Sequence, residues 1–306
     1  MTTSKPFFSI IMPVYNRSSF IVESVQTVLN QTFIDFELIC VDDGSTDESP
    51  AILSKLASSD VRIKVLTQTN NGRCSARNLG IRAARGKWIA FLDSDDGYLF
   101  NHLEVMHQLI DKHPSMYGFA TEMIMGLKVK DYDVFRFYSD YTVLDFNDFL
   151  RANAISLNQF CYSRKACPDL FFPDINILAS EDFLFMRMFC YDHKLVKVNT
   201  VTNYVNQHAM RSINVIEADE FVKWNTFTSD YFIEHYKVSD KVKESIQSYV
   251  LLFSANILIT AKKKKEGLKK IIAALKYKDT YFSFQLYKGL FKLLAEACVV
   301  LQGHFL

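Results

Sequence analysis

No stretch of this sequence reaches the roughly 18 uninterrupted apolar residues that a membrane-spanning helix requires, which argues against an integral membrane protein. Charge of one sign is lacking too. Lys and Arg number 35 against 34 Asp and Glu, leaving a formal net charge of +1, so a uniformly basic surface built to coat nucleic acid is not expected. The six cysteines, at 40, 74, 161, 167, 190 and 298, show no CxxC spacing. They read as buried thiols of a reducing compartment and not as a zinc or disulfide framework. No signal-peptide-like apolar stretch follows Met1, and a cytoplasmic location is expected. What remains is a globular composition, 49% hydrophobic over 306 residues, enough for one large domain or a domain with an appendage.

Glycine is scarce but not scattered. Five of the ten glycines fall between 44 and 97, at Gly44, Gly72, Gly80, Gly86 and Gly97, mostly at presumed turns beside strand ends. At such turns the backbone bends sharply or approaches a ligand, and glycine does both cheaply. The same region alternates strand and helix patterns. Strands are predicted over 8–14, 37–41, 61–66 and 88–92, and helices over 18–30, 51–57 and 75–84. This alternation predicts a mostly parallel sheet flanked by helices. Further on, helices are expected over 102–112 and 181–191, strands near 119–129 and 134–138, and a helical region beyond 216.

The most informative stretch is Asp93-Ser94-Asp95-Asp96, three carboxylates directly after the apolar run Trp88 to Leu92. Acids crowded at a strand end repel one another unless a cation is bound, and a divalent metal is the simplest partner; alternatively, they cap the next helix. A second apolar run, Phe36 to Val41, also ends in acids, at Asp42-Asp43-Gly44-Ser45-Thr46-Asp47. In open α/β sheets the ligand crevice lies beyond the carboxyl ends of the strands, so the two acidic turns outline one polar site.

Four motifs in order carry a resemblance: Pro13-Val14-Tyr15-Asn16; Val41 to Asp47; Asn71-Gly72 with Ala76-Arg77-Asn78-Leu79-Gly80; and Phe91 to Asp96. Together they resemble the family 2 glycosyltransferases of the GT-A fold. The resemblance implies a Rossmann-like, mostly parallel sheet flanked by helices, with a helical C-terminal extension. It implies residues 1–100 as the nucleotide-sugar-binding half of the domain and 101–215 as the acceptor-binding and catalytic half, with 216–306 a helical region rich in lysine and aromatics. By the same likeness Pro13, Val14 and Tyr15 line the base pocket, Asp42 accepts a hydrogen bond from the base, and Asp93 with Asp95 holds Mn²⁺ or Mg²⁺ on the donor diphosphate. Ser94, inside that motif, joins the donor-binding set. Arg73 and Arg77 are further phosphate candidates, Arg77 being equally readable as a buried partner of an acid. Asp182 matches the family's base and Glu181 its neighbour; the plain alternative is a helix start with Ser180 as N-cap. His208 and Arg211 are candidate metal or phosphate contacts, His208 being otherwise simply a satisfied histidine.

From Lys262 to Leu306, ten lysines face three acids, with apolar residues at helical spacing. Such a helix suits an anionic membrane surface or is the solvated face of a packed hairpin. The implied activity is a metal-dependent, inverting sugar transfer from a UDP-type donor to a glycan or lipid-linked glycan in cell-surface polysaccharide or lipopolysaccharide synthesis. The implied location is the cytoplasm, peripherally on the inner face of the membrane, with no nucleic-acid partner. The rival is a silent nucleotide-binding scaffold acting through its tail.

Overall fold

Apolar runs without alternation need cover on both faces, and Phe8–Val14 (β1) and Phe36–Asp42 (β2) obtain it by lying side by side inside a sheet. The computed structural model describes residues 5–126, 140–150, 155–211 and 215–277. Strands Ile63–Thr67 (β3) and Trp88–Phe91 (β4) join β1 and β2 in the parallel order β3-β2-β1-β4. Helices Ile21–Leu29 (α1), Ser49–Ser59 (α2) and Arg73–Ala83 (α3) make the crossovers. On α1 the buried positions are Ile21, Ser24, Val25 and Val28, the three-and-four spacing that keeps one helix stripe inward. Strand order reverses at β1, so a crevice opens beyond the carboxyl ends of β1 and β4.

Beyond β4 the sheet is continued by Gly97–Tyr98 (β5), Gly118–Met125 (β6), Tyr141–Leu144 (β7), Phe160–Ser163 (β8) and Leu195–Val205 (β9). β8 runs antiparallel between β4 and β6, β9 lies parallel to β6, and β5 and β7 pair antiparallel with β9. Helices His102–Lys112 (α4) and Glu181–Asp192 (α5) complete this half. The inward face of α5 is aromatic. Phe185 stacks on Phe172 at 4.3 Å and meets Phe91 edge-on at 5.5 Å, so the helix that begins with Glu181 and Asp182 is pinned to β4.

The described residues fall into two compact units. One takes those up to 146 and from 155 to 211, and contains the sheet; the other takes those of 147–150 and 215–277. The second holds Ala218–His235 (α6), Asp240–Thr260 (α7) and Lys264–Ala274 (α8). Helices α7 and α8 share a small core of Leu252, Ala255, Ile259, Ile271 and Ala274. Gly267 lets them close in: a Cβ there would stand 2.6 Å from the Ile259 side chain.

Among the described residues the sheet and helices expected from periodicity are present, with helix bounds shifted by at most three residues. One expectation differs. Ser180 does not cap α5 with its side chain; it sits at φ 66° and makes no capping hydrogen bond. The predicted strand over 134–138, and the lysine-rich tail after 277, lie outside the described residues.

Because Phe185 is fully buried among three aromatic rings, Phe185→Ala is expected to destabilise the protein by about 3–5 kcal/mol, read as a lower urea midpoint.

Candidate active site

Parallel register brings Val14 at the end of β1 beside Asp42 at the end of β2, and the chain then turns back on its own carboxylates. Asp42 accepts the Ser45 N–H at 3.0 Å, which folds the turn through Gly44 at φ 72°. Asp43, also buried, accepts the Asn71 and Gly72 N–H groups, both at 2.9 Å, and the Gln68 side-chain amide at 2.7 Å. It thereby fixes the turn that launches α3, where Gly72 at φ 86° leaves no space for a Cβ beside Asn176. Of the base-pocket candidates, Val14 is buried and its carbonyl accepts the Asp43 N–H at 2.8 Å, whereas Tyr15 is exposed.

The acids after β4 do not share one partner. Asp93 Oδ1 accepts from Arg77 Nη2 at 2.8 Å, and its side chain remains 35% exposed. Asp95 Oδ2 meets Arg17 Nε at 3.3 Å and His208 Nε2 at 3.1 Å, with the His208 ring stacked on Phe20 at 4.3 Å. Asp96 is buried and tied to Arg211 Nη1 at 3.0 Å, to the Asn206 N–H at 3.0 Å and to the Asn158 amide at 2.7 Å. Ser94 is buried, and its carbonyl accepts the Ser24 hydroxyl at 3.0 Å.

Arg77 joins this cluster to the start of α5. Only 2% exposed, it reaches Asp93, Glu181 Oε1 at 3.2 Å and Asp182 Oδ1 at 3.9 Å, while Arg73 also meets Glu181 at 3.2 Å. Burial opposes the Arg77 charge, but Asp93, Asp182 and Glu181 outweigh it and hold the guanidinium protonated. Burial likewise acts to raise Asp93, and Arg77 overcomes it, keeping that carboxyl below the usual range. Asp182 fares differently. Burial and the adjacent Glu181 charge push it up to about 7, against the pull of Arg77. Its Oδ1 makes no hydrogen bond among the described residues, and its Oδ2 accepts only a long one, 3.3 Å, from the Leu157 N–H. Asp96 is pushed up to about 8 by burial and by the charges of Asp93 and Asp95.

The model of glycosyl transferase family 2 matches residues 9–167, from β1 through β8 and beyond. An uncharacterized glycosyltransferase of Haemophilus influenzae is 30% identical over 265 residues, covering 84% of this chain and 99% of that protein. The chain belongs to glycosyl transferase family 2. Several longer curated members are matched over only 15–26% of their own length. Two solved structures share its GT-A fold. S. aureus TarS 1-349 in complex with UDP-GlcNAc superposes with a TM-score of 0.67 at 22% identity, covering 88% of this chain and 79% of that one. A mannosyltransferase of Pyrobaculum calidifontis in complex with GDP-Man and Mn²⁺ does so with 0.64 at 16% identity, covering 97% and 81%.

Within this family member the structure gathers Asp93, Asp95, Arg73, Arg77, Glu181, Asp182 and His208, anticipated from sequence, beyond the ends of β1 and β4. Arg211, expected at metal or phosphate, instead pairs with the buried Asp96. Asn158, Asn206, Arg17 and Asp43 join them without having been singled out. Asp43 carried a local signal as the second acid of a strand-end pair, and Arg17 directly follows the Pro13 to Asn16 motif; Asn158 and Asn206 are ordinary in type.

Asp43 holds two backbone N–H groups and a side-chain amide, Asp42 one backbone N–H. Buried donors left unpaired cost about 1–3 kcal/mol each, so Asp43→Ala is expected to lower the melting temperature well beyond Asp42→Ala. Paired thermal unfolding curves check this.

Proposed function

We propose that the protein is an inverting transferase that moves a sugar from a nucleoside-diphosphate donor, UDP-linked by preference, to a hydroxyl of a glycan or lipid-linked glycan in cell-surface polysaccharide or lipopolysaccharide synthesis. The observation that carries the reading is the Arg77 bridge between the strand-end Asp93 and Asp182, a carboxyl raised to about 7 and only lightly hydrogen-bonded. A base for a sugar hydroxyl works best with a pKa near the working pH. Asp182 takes the hydroxyl proton as the acceptor oxygen bonds to the anomeric carbon. The bond from that carbon to the diphosphate oxygen breaks, and the diphosphate leaves with the electron pair. Glu181, held by Arg73 and Arg77, fixes the start of α5 and keeps Asp182 aimed. Pro13, Val14, Tyr15, Asp42 and Ser94 are assigned to the nucleotide, and Arg73 to its phosphates. Arg77, with three carboxylates around it, is assigned chiefly to holding the acids in place.

A divalent cation fits the donor set. Among the described residues no three His, Cys, Asp or Glu side chains form a cage for an ion. Mg²⁺ in phosphate chemistry is ordinarily held by one or two carboxylates together with water and substrate phosphates, and Mn²⁺ accepts the same oxygen donors. Asp93, partly exposed, and Asp95 would supply the carboxylates, with His208 beside them. Bound there, Mn²⁺ or Mg²⁺ would neutralise charge on the leaving diphosphate. The fold neighbours bound to UDP-GlcNAc and to GDP-Man with Mn²⁺ support the same class of donor.

The second unit is assigned to an anionic membrane surface. No described helix is long and apolar enough to cross a membrane. On α8, Leu268 and Ile272 are 45% and 60% exposed. At 100° per residue, Lys264, Lys265 and Lys269 flank this pair and Glu266 falls on the other side. An apolar ridge edged with lysine suits the headgroup boundary, each lysine adding about 1 kcal/mol of attraction.

Release of UDP or GDP from a panel of nucleotide sugars, with Mn²⁺ and oligosaccharide acceptors, tests the activity. With the active donor, kcat/KM should rise as pH climbs toward about 7, because the base form of Asp182 appears only as its proton leaves, and should level off above. Asp182→Asn should cost about 10²–10⁴-fold in kcat and abolish that rise while leaving UDP affinity unchanged; full activity in this variant would refute the assignment. Sedimentation with vesicles rich in phosphatidylglycerol, but not with phosphatidylcholine alone, should be lost in Leu268→Ser/Ile272→Ser.

A further inference from the structure

Arg17 lies outside the donor and base assignments above, yet its guanidinium is placed where a cation is needed. Its Nε stands 3.3 Å from Asp95 Oδ2, the carboxylate oxygen that also meets His208. Its Nη1 donates to the carbonyls of Tyr15 at 3.3 Å and Asn16 at 3.2 Å, and its own N–H donates to the Ser49 hydroxyl at 2.8 Å. The backbone that presents these carbonyls is unusual. Asn16 sits at φ 52°, held there by Ser45, which accepts its N–H at 3.0 Å, and by the Thr46 N–H, which donates to its side chain at 2.8 Å. A non-glycine residue in the left-handed region is retained where its surroundings fix it, and such positions cluster at ligand sites.

A divalent ion and a guanidinium cannot both occupy Asp95 Oδ2 without strong repulsion. We infer that Arg17 is the resident counter-ion of Asp95 and a further donor-binding residue: an arriving divalent ion takes its place on Asp95, and the released guanidinium pairs with the donor's diphosphate. The two backbone carbonyls keep it at the end of β1 during the exchange, and planar N–H pairs suit phosphate oxygens. Ion and diphosphate then favour one another, since each helps draw Arg17 off the carboxylate. This inference rests on the donor reading above for its second half only.

Mn²⁺ binding without nucleotide, followed by the EPR signal of the free ion, tests the first half in wild type, Arg17→Gln and Arg17→Lys. Arg17→Gln is expected to bind Mn²⁺ about tenfold more tightly, and Arg17→Lys to stay near wild type. In saturating Mn²⁺, the preference of Arg17→Gln for UDP over UMP should shrink by about tenfold. Far-UV circular dichroism of each variant confirms the fold. Unchanged or weaker Mn²⁺ binding by a folded Arg17→Gln overturns the inference whatever the donor is, because that titration contains none. Tightened Mn²⁺ binding with an unchanged UDP-to-UMP ratio overturns the transfer to diphosphate while supporting the resident counter-ion. Tightened Mn²⁺ binding in a protein that binds neither UDP nor GDP supports the counter-ion and instead removes the donor reading.

Discussion

The arrangement at the sheet edge depends on one buried cation. Arg77, almost wholly removed from water on α3, is tolerated because Asp93, Glu181 and Asp182 surround it and the Phe172 ring lies 5.4 Å beneath. Taking a guanidinium out of water costs several kcal/mol unless such partners compensate it, and removing one partner of a buried pair costs as much again. Asp93 follows β4 and the two acids open α5, so the ion pairs fix a strand end and a helix start, 16 and 104 residues from the arginine in sequence, around one point.

The same economy explains how three acids in four residues coexist. Each is given a different counter-charge: Arg77 for Asp93, Arg17 with His208 for Asp95, Arg211 for Asp96. Their partners come from α3, from the loop after β1 and from the segment after β9. Asp96, the most buried, ties that last segment down and so delivers His208 to Asp95. Asp93 keeps the greatest exposure of the three and is the acid best placed to meet a ligand.

Much of the fold was legible because hydrophobic period reports burial directly. Helix α4 has the expected bounds, and the four parallel strands lie within a residue or two of the apolar runs that announced them. The candidate site was legible where titratable groups are concentrated in short motifs that the structure brings together, as at Asp93 to Asp96 and at Glu181-Asp182. It was not legible where a choice depends on the third dimension. Nothing local separates Asp42 from Asp43, yet one holds its own turn and the other the turn before α3. Ser180 is of a residue type that caps helices, but it lies in the left-handed region and its hydroxyl does not cap α5.

The sequence by itself determined the alternation of strands and helices, the parallel sheet that follows from it, and which strand ends carry acid, since all three are set by local period and residue type. Tertiary structure alone decided which cation faces which carboxylate. Burial and the adjacent Glu181 charge raise Asp182 against the pull of Arg77, whereas at Asp93 the same arginine overcomes burial and lowers the carboxyl, two aspartates with the same intrinsic acidity. Desolvation and charge at 3–4 Å set a carboxyl's acidity, and those distances exist only once β4, α3 and α5 have met.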